Sequence, residues 1–175
     1  MSKKKTSTFY LTERLTLTAS ATPVTATIDL GAYVDVADRQ AIAIEEVDFM
    51  FQSTTAKGNV TTALTPNNVV HAQVSDLNRG GTIQFADDRA LVASGSLYVD
   101  AQDGIHNAAD IYPDVYGARD GVRLVVNDQL YLTAEASNVA GSAAVNCTVR
   151  IKAHVAGLTA KDWMAIAIQS TAADN

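Results

Sequence analysis

From residue 145 to 155 the chain alternates without a break. Cys147, Val149, Ile151 and Ala153 fall on one side; Asn146, Thr148, Arg150, Lys152 and His154 fall on the other. Side chains of an extended backbone point alternately to the two faces of a sheet, so a period of two predicts a strand with one buried and one wet face. The period recurs. Phe9, Leu11, Leu15 and Leu17 alternate with Tyr10, Thr12, Arg14 and Thr16. After a turn at Ala21-Thr22-Pro23, Val24, Ala26, Ile28 and Leu30 alternate with Thr25, Thr27 and Asp29. Residues 69–75, 81–85, 96–101, 122–126 and 129–136 carry shorter versions of the same pattern.

Turn residues separate these runs at strand-like spacing: Asn78-Arg79-Gly80-Gly81, Asn127-Asp128 and Asn138-Val139-Ala140-Gly141. Residues 126–129 predict a tight hairpin. Two segments break the rhythm. Residues 86–94 predict a short helix, and residues 101–121, with Asp103-Gly104, Tyr112-Pro113 and Gly117, predict a long loop. In the tail 158–170, Thr159 with Asp162 resembles a capping box and predicts one helical turn. Met164, Ile166 and Ile168 then alternate with alanines, which is strand spacing, so the tail is open between a continuing helix and one helical turn followed by a final strand, the latter favoured. Eight or nine short strands without regularly interleaved helices specify an all-β sandwich or barrel with one or two short helices. The expected organisation is a flexible basic arm over residues 1–8 and a single β-sandwich domain over residues 9–175.

Residues 41–53, AIAIEEVDFMFQS, complicate the pattern. Ile42 and Ile44 lie on one face of a strand, while Val47, Phe49 and Phe51 lie on the other, with the phase changing at Glu45-Glu46. One face enters the sandwich. The other needs cover, either from the C-terminal segment or from a second subunit, which makes Phe49, Phe51 and Trp163 candidates for core or interface. Composition favours buried outer surface: hydrophobic residues make up 47% and charged residues 18%, against roughly 25% charged in typical soluble domains.

The net charge of −6 argues against a general nucleic-acid binder, which needs clustered cations. Lys3, Lys4 and Lys5 are the exception. They predict a short arm able to touch nucleic acid, an acidic lipid surface or a neighbouring subunit, with weak and salt-sensitive attraction, so direct nucleic-acid binding is expected to be weak or absent. Cys147 is the single cysteine, which excludes an internal disulfide, and its place in the alternation predicts a buried, inert thiol. No apolar run reaches the roughly 18 residues of a membrane-spanning helix. The start of the chain lacks the apolar region of a secretory signal, which predicts synthesis in a cytoplasm.

A search for catalytic constellations returns little. His71, His106 and His154 form no His-x-His, His-Glu-x-x-His or Cys/His cluster, and no Walker loop, dinucleotide fingerprint or nucleophile elbow occurs. His71 and His154 read as surface or edge residues of strands and His106 as a loop residue. Glu45-Glu46 reads as a bulge or polar break rather than a catalytic pair. No catalytic residue is assigned, and the expectation is a protein that is not an enzyme. Asp100, Asp103, Asn107, Asp110 and Asp114 crowd the 101–121 segment and offer oxygen ligands of the kind calcium takes, though not at EF-hand spacing. No other cofactor is indicated.

Strands across nearly the whole chain, behind the basic segment MSKKK, resemble the single jelly-roll viral coat proteins. The resemblance is architectural, spans residues 9–170 and rests on no diagnostic motif. It implies a non-catalytic, jelly-roll-like antiparallel sandwich that assembles with copies of itself, as trimers or pentamers within a virion shell, and with other capsid proteins. It also implies that Lys3, Lys4 and Lys5 act as the arm, and that the 101–121 segment with Tyr112 and Tyr116 acts as an assembly surface. Two other classes fit a sandwich. One is a cellular surface-layer or filament subunit. The other is a carbohydrate-binding module using Tyr98, Tyr112, Tyr116, Tyr131 or Trp163.

Overall fold

The unbroken alternation at 145–155 becomes the central strand of a sheet. The computed structural model describes residues 3–55, 60, 63–64, 67–100, 105–112, 122–139 and 144–171. Among these the chain forms β1 (Lys3–Lys4), β2 (Phe9–Leu17), β3 (Val24–Asp29), β4 (Gln40–Ser53), β5 (Asn68–Ser75) and β6 (Leu91–Asp100). It continues with β7 (Ile105–Tyr112), β8 (Arg123–Val125), β9 (Gln129–Ala136), β10 (Val145–Gly157) and helix α1 (Ala160–Thr171).

The strands make two antiparallel sheets. In one, β1 and β2 lie end to end along one edge of β10, followed by β4 and β8; in the other the order is β3-β9-β5-β6-β7. The order β2-β10-β4-β8 facing β3-β9-β5-β6 is that of a jelly roll, with β1 and β7 added at the margins. Between the sheets lies one hydrophobic core whose largest fully buried side chains include Leu17, Leu30, Ile42, Ile44, Leu130, Leu132 and Ile151. Cys147 belongs to it, and burial pushes its thiol up to about 12. The thiol is therefore un-ionised and inert at neutral pH, as the alternation predicted.

The double-faced strand is resolved by a β-bulge. Along β4 and β10, Glu46 pairs with Lys152 and Ile44 with Ala153, which leaves Glu45 as an extra residue. That insertion shifts the alternation by one, so Ile42 and Ile44 before it and Val47, Phe49 and Phe51 after it all face the core. Phe49 and Phe51 are partly buried and pack against the core. The outward side of the first half of β4 carries only alanines, Ala41 and Ala43, both fully buried. Ala41 is covered from within the chain by a second cluster formed with Val126, Leu158, Leu124, Trp163, Ile166 and Ala167.

Trp163, Ile166 and Ala167 lie at i, i+3 and i+4, the spacing of one helix face. Of the two readings of the tail, the structure takes the helix, and the favoured final strand does not form. Thr159 caps it, its Oγ1 accepting from Asp162 N at 3.2 Å and its carbonyl from Trp163 N at 2.9 Å. The alternation of Met164, Ile166 and Ile168 misled because alanines between them also satisfy a helix, and the helix is what covers the alanine floor of β4.

Other expectations are corrected in the same way. The helix expected at 86–94 is a turn leading into β6: Asp88 Oδ1 accepts from Ala90 N at 2.8 Å, and the apolar run that follows pairs with β5. Short apolar runs do not distinguish helix from strand by period alone. The long loop expected at 101–121 contains β7, antiparallel to β6 with Asp100 opposite Ile105; residues 101–104 and 113–121 lie outside the described residues. Residues 81–85 form no ladder. Residues 126–128 do not close a hairpin, because β8 belongs to one sheet and β9 to the other. The segment expected as a free arm is docked: Lys3 and Lys4 pair with Gly157 and Ala156. At the outer edge, β2 places Glu13 in the inward register, an inward-pointing charge of the kind that discourages edge-to-edge pairing.

The sheets touch where Phe49 meets Gly95. A β-carbon at Gly95 lies 3.0 Å from Phe49 Cδ2, so the glycine leaves the room in which the ring sits. Gly95→Ala is expected to destabilise the domain by about 1–3 kcal/mol through overpacking, and Phe49→Ala by about 3 kcal/mol. The double variant is expected to lose less than the sum, because the methyl then enters vacated space. Urea unfolding of the three variants checks this; additive losses would contradict the contact.

Candidate functional site

Strand register gathers several connections at one end of the sandwich. Asp29 lies opposite Gln129, Ser75 opposite both Leu91 and Tyr131, Ile42 opposite Val125, and Gln40 opposite Gly157. The turn 30–39, the segment 76–90, the corner 126–128 and the start of α1 therefore share that end.

Asp76 joins two of them, the segment 76–90 and the corner 126–128, to β8. It is almost fully buried. Its amide donates to Ala90 O at 2.9 Å, its carbonyl accepts from Asn127 Nδ2 at 2.6 Å, and its Oδ2 lies 3.3 Å from an Arg123 guanidinium nitrogen. The same nitrogen donates to Arg89 O at 2.7 Å. Arg79 and Asp88 pair at 3.1 Å across the segment. Burial raises the Asp76 carboxyl above its ordinary value, and the nearby charge and hydrogen bond of Arg123 only partly offset it.

Segment 76–90 is a strap over the second sheet. Gln73 and Gln84 hold it by reciprocal bonds: Gln84 N donates to Gln73 Oε1 at 2.6 Å, and Gln73 Nε2 donates to Gln84 O at 2.7 Å. A β-carbon at Gly81 lies 3.5 Å from Thr25 Oγ1, and Thr25 in turn bonds Thr133 at 3.1 Å, so the strap reaches β3. This cover accounts for the burial of Gln73, a polar residue on the outward side of its sheet. Phe85 follows the pinned Gln84 and is 87% exposed.

Other apolar groups are presented to solvent on the 30–39 turn and on α1. Val36 is 65% exposed on the 30–39 turn, which Asp35 Oδ1 orders by accepting from Ala37 N at 2.8 Å. On α1, Met164 and Ile168 are each 59% exposed, one turn apart on the side away from the sheet, with Ala165 between them. The outer face of the first sheet exposes Tyr10 and Met50 among charged and polar groups. There Arg150 stacks 4.8 Å from the Tyr10 ring centroid, and Lys152 reaches Glu46 at 3.6 Å. Exposed apolar side chains that lie together mark a place for contact with a partner, and Met164 and Ile168, one turn apart on α1, are such a pair.

The residues singled out from sequence are distributed differently. Lys3, Lys4 and Lys5 lie on the β10 edge, Phe49 and Phe51 against the core, and Trp163 between helix and sheet. Asp100 ends β6 and is half-buried, while His106, Asn107, Asp110 and Tyr112 fall on β7. Asp103, Asp114 and Tyr116 lie outside the described residues. Among the described residues no group of three or more His, Cys, Asp and Glu side chains gathers as a metal-ligand set. Tyr98 and Tyr131 hydroxyls donate to Asn67 Oδ1 and Gln129 Oε1. His154, expected at a surface or edge, pairs with Glu45 at 2.8 Å. Sequence reasoning missed Val36, Phe85 and the Asp76–Arg123 pair. The signal for Phe85 was its place in a run with no ladder partner, and for Met164 and Ile168 it was their i, i+4 spacing.

Comparison with known proteins yields no matching family model and no curated protein of similar sequence. The geometry alone carries the functional reading.

Asp76 has a definite pH signature. Its folded-state value is raised above the unfolded 3.8, so its contribution favours the fold in acid and is lost as pH rises through the folded value. Asp76→Asn keeps an acceptor for Arg123 and is expected to melt at least as high as the parent at pH 7, with any advantage vanishing toward pH 3. Melting curves across that range check the sign; a variant weakest at pH 7 would mean that the Arg123 pairing outweighs burial.

Proposed function

We propose that this chain is a non-catalytic structural subunit that assembles with copies of itself into a virion shell. The observation that carries the reading is a jelly-roll sandwich whose 30–39 turn, strap and helix α1 each expose apolar side chains: Val36, Phe85, and Met164 with Ile168. Jelly rolls serve viral capsids, lectins and cupins alike, so the strand order alone does not choose among them. The contact surface supports assembly: its apolar groups are borne by a pinned strap, a short ordered turn and a capped helix. Surfaces held rigid in this way lose little conformational freedom on association. The outer polar face of the first sheet, with its Arg150–Tyr10 and Lys152–Glu46 contacts, suits a solvent-facing wall. Contacts made through these groups by identical subunits close into rings when their rotation permits, giving trimers or pentamers as building blocks. In this reading the virion is the location of the protein and other shell proteins are its further partners.

Purified protein is expected to form closed multimers by light scattering and negative-stain imaging. Met164→Asp with Ile168→Asp, or Phe85→Ser, is expected to shift the mass toward monomer while leaving stability within about 0.5 kcal/mol, as for other exposed positions. A strict monomer at high concentration, across salt and pH, would overturn the proposal.

A further inference from the structure

Residues 3–8 are attached to the sandwich in an unusual way. β2 covers one edge of β10 only as far as Ala153, opposite Phe9. Beyond it the edge is taken by residues 3–6: Lys3 and Lys4 pair with Gly157 and Ala156, Lys5 N donates to Val155 O at 2.8 Å, and Val155 N donates to Thr6 Oγ1 at 2.9 Å. Every residue from 3 to 8 is exposed. The segment thus has no buried apolar side chain to hold it, and ordering a backbone residue costs more than one exposed hydrogen bond returns. Its boundary is Phe9, whose ring stacks on Tyr33 with centroids 4.8 Å apart.

What remains is Glu45, the extra residue of the β4 bulge. Its Oε1 accepts from His154 Nδ1 at 2.8 Å, from Thr8 Oγ1 at 3.3 Å and from Lys4 Nζ at 3.5 Å, while its Oε2 lies 3.8 Å from Lys152 Nζ. The charged groups that face it are Lys4 from β1, Lys152 and His154 from β10, and Glu46 from β4, which shares Lys152 at 3.6 Å. One carboxylate therefore ties the exposed segment at two points to the sheet.

We propose that Glu45 is an acid-sensitive latch: its carboxylate holds residues 3–8 on β10, and its protonation frees them and uncovers the 155–157 edge while the sandwich stays folded. Burial pushes the Glu45 carboxyl up, but the His154 and Thr8 hydrogen bonds and the Lys4 charge outweigh it and hold the group below its ordinary 4.5. A depressed value means that the latch is fully closed above pH 4.5 and opens as pH falls through the folded value, below 4.5. His154 Nδ1 can donate to the carboxylate whether the ring is neutral or charged, so the latch persists to neutral pH.

Amide hydrogen exchange across pH 3 to 7 tests this, with rates corrected for intrinsic pH dependence. In the parent, protection of the Lys5 and Val155 amides is expected to fall about tenfold or more in one step below pH 4.5, while Ile151 and Leu132 keep theirs. In Glu45→Gln the step disappears, and both amides exchange at neutral pH as fast as in the acid parent. Gly157→Ala displaces the Lys5 stem, whose Cε lies 2.8 Å from the β-carbon position, and is expected to speed exchange at every pH while keeping the step. Three results would each overturn the latch: no step in the parent, loss of protection only together with Ile151 and Leu132, or a step that survives in Glu45→Gln.

Discussion

A single inserted residue organises this sandwich. Glu45 has no partner of its own on β10, and the alternation on either side of it is out of phase by one. Without the bulge, either Ile42 and Ile44 or Val47, Phe49 and Phe51 would face away from the core, because a one-residue slip turns every side chain over. With it, all five face one core, and the ring of Phe49 reaches the facing sheet at Gly95. The bulge also directs Glu45 and Glu46 together to the outer face, where Lys152 lies near both. Core packing and outer-face electrostatics therefore depend on the same irregularity.

The second consequence concerns what covers the sheet. Once the large side chains of β4 turn inward, its outward side near Gln40 is left with Ala41 and Ala43, and Ala156 lies opposite Ala41 on β10. Small residues let a helix approach closely, and α1 closes over this floor with Trp163, Ile166 and Ala167. Apolar surface that the sequence left unassigned is thus satisfied within the chain. The apolar surface that is not satisfied lies elsewhere, on the far side of α1, on the 30–39 turn and on the strap.

Two buried or half-buried carboxyls serve opposite electrostatic regimes. Asp76 is enclosed, and Arg123 does not fully offset its desolvation, so its charge is held at a cost. Glu45 stands nearer to solvent among donors from β1 and β10, so its charge is favoured. The first joins segment 76–90 to the 126–128 corner by backbone bonds as much as by charge. The second adds a side-chain tie to a segment otherwise held by exposed backbone pairing with β10. Both roles depend on partners distant in sequence: Asn127 and Arg123 for Asp76, His154 and Lys4 for Glu45.

How much was legible in advance follows from the range of each interaction. The period of two in 145–155, 9–17 and 24–30 determined strands, and with the turn residues between them it determined an all-β sandwich, because the pleat imposes that period locally. The capping pair Thr159 and Asp162 likewise marked the start of α1. Other features had no local signature. Residues 126–128 and 86–90 look like a hairpin and a helix until Asp76 and β5 engage them. The helix over 160–171 and the strand at 105–112 needed a surface to pack on or an edge to pair with. The docking of Lys3 and Lys4 needed the free end of β10. Alternation is written in neighbouring residues, so the sequence determined which segments extend. Which face is covered, which corner crosses between sheets and which apolar side chains remain exposed were decided by the tertiary structure, since each depends on groups that only folding brings together.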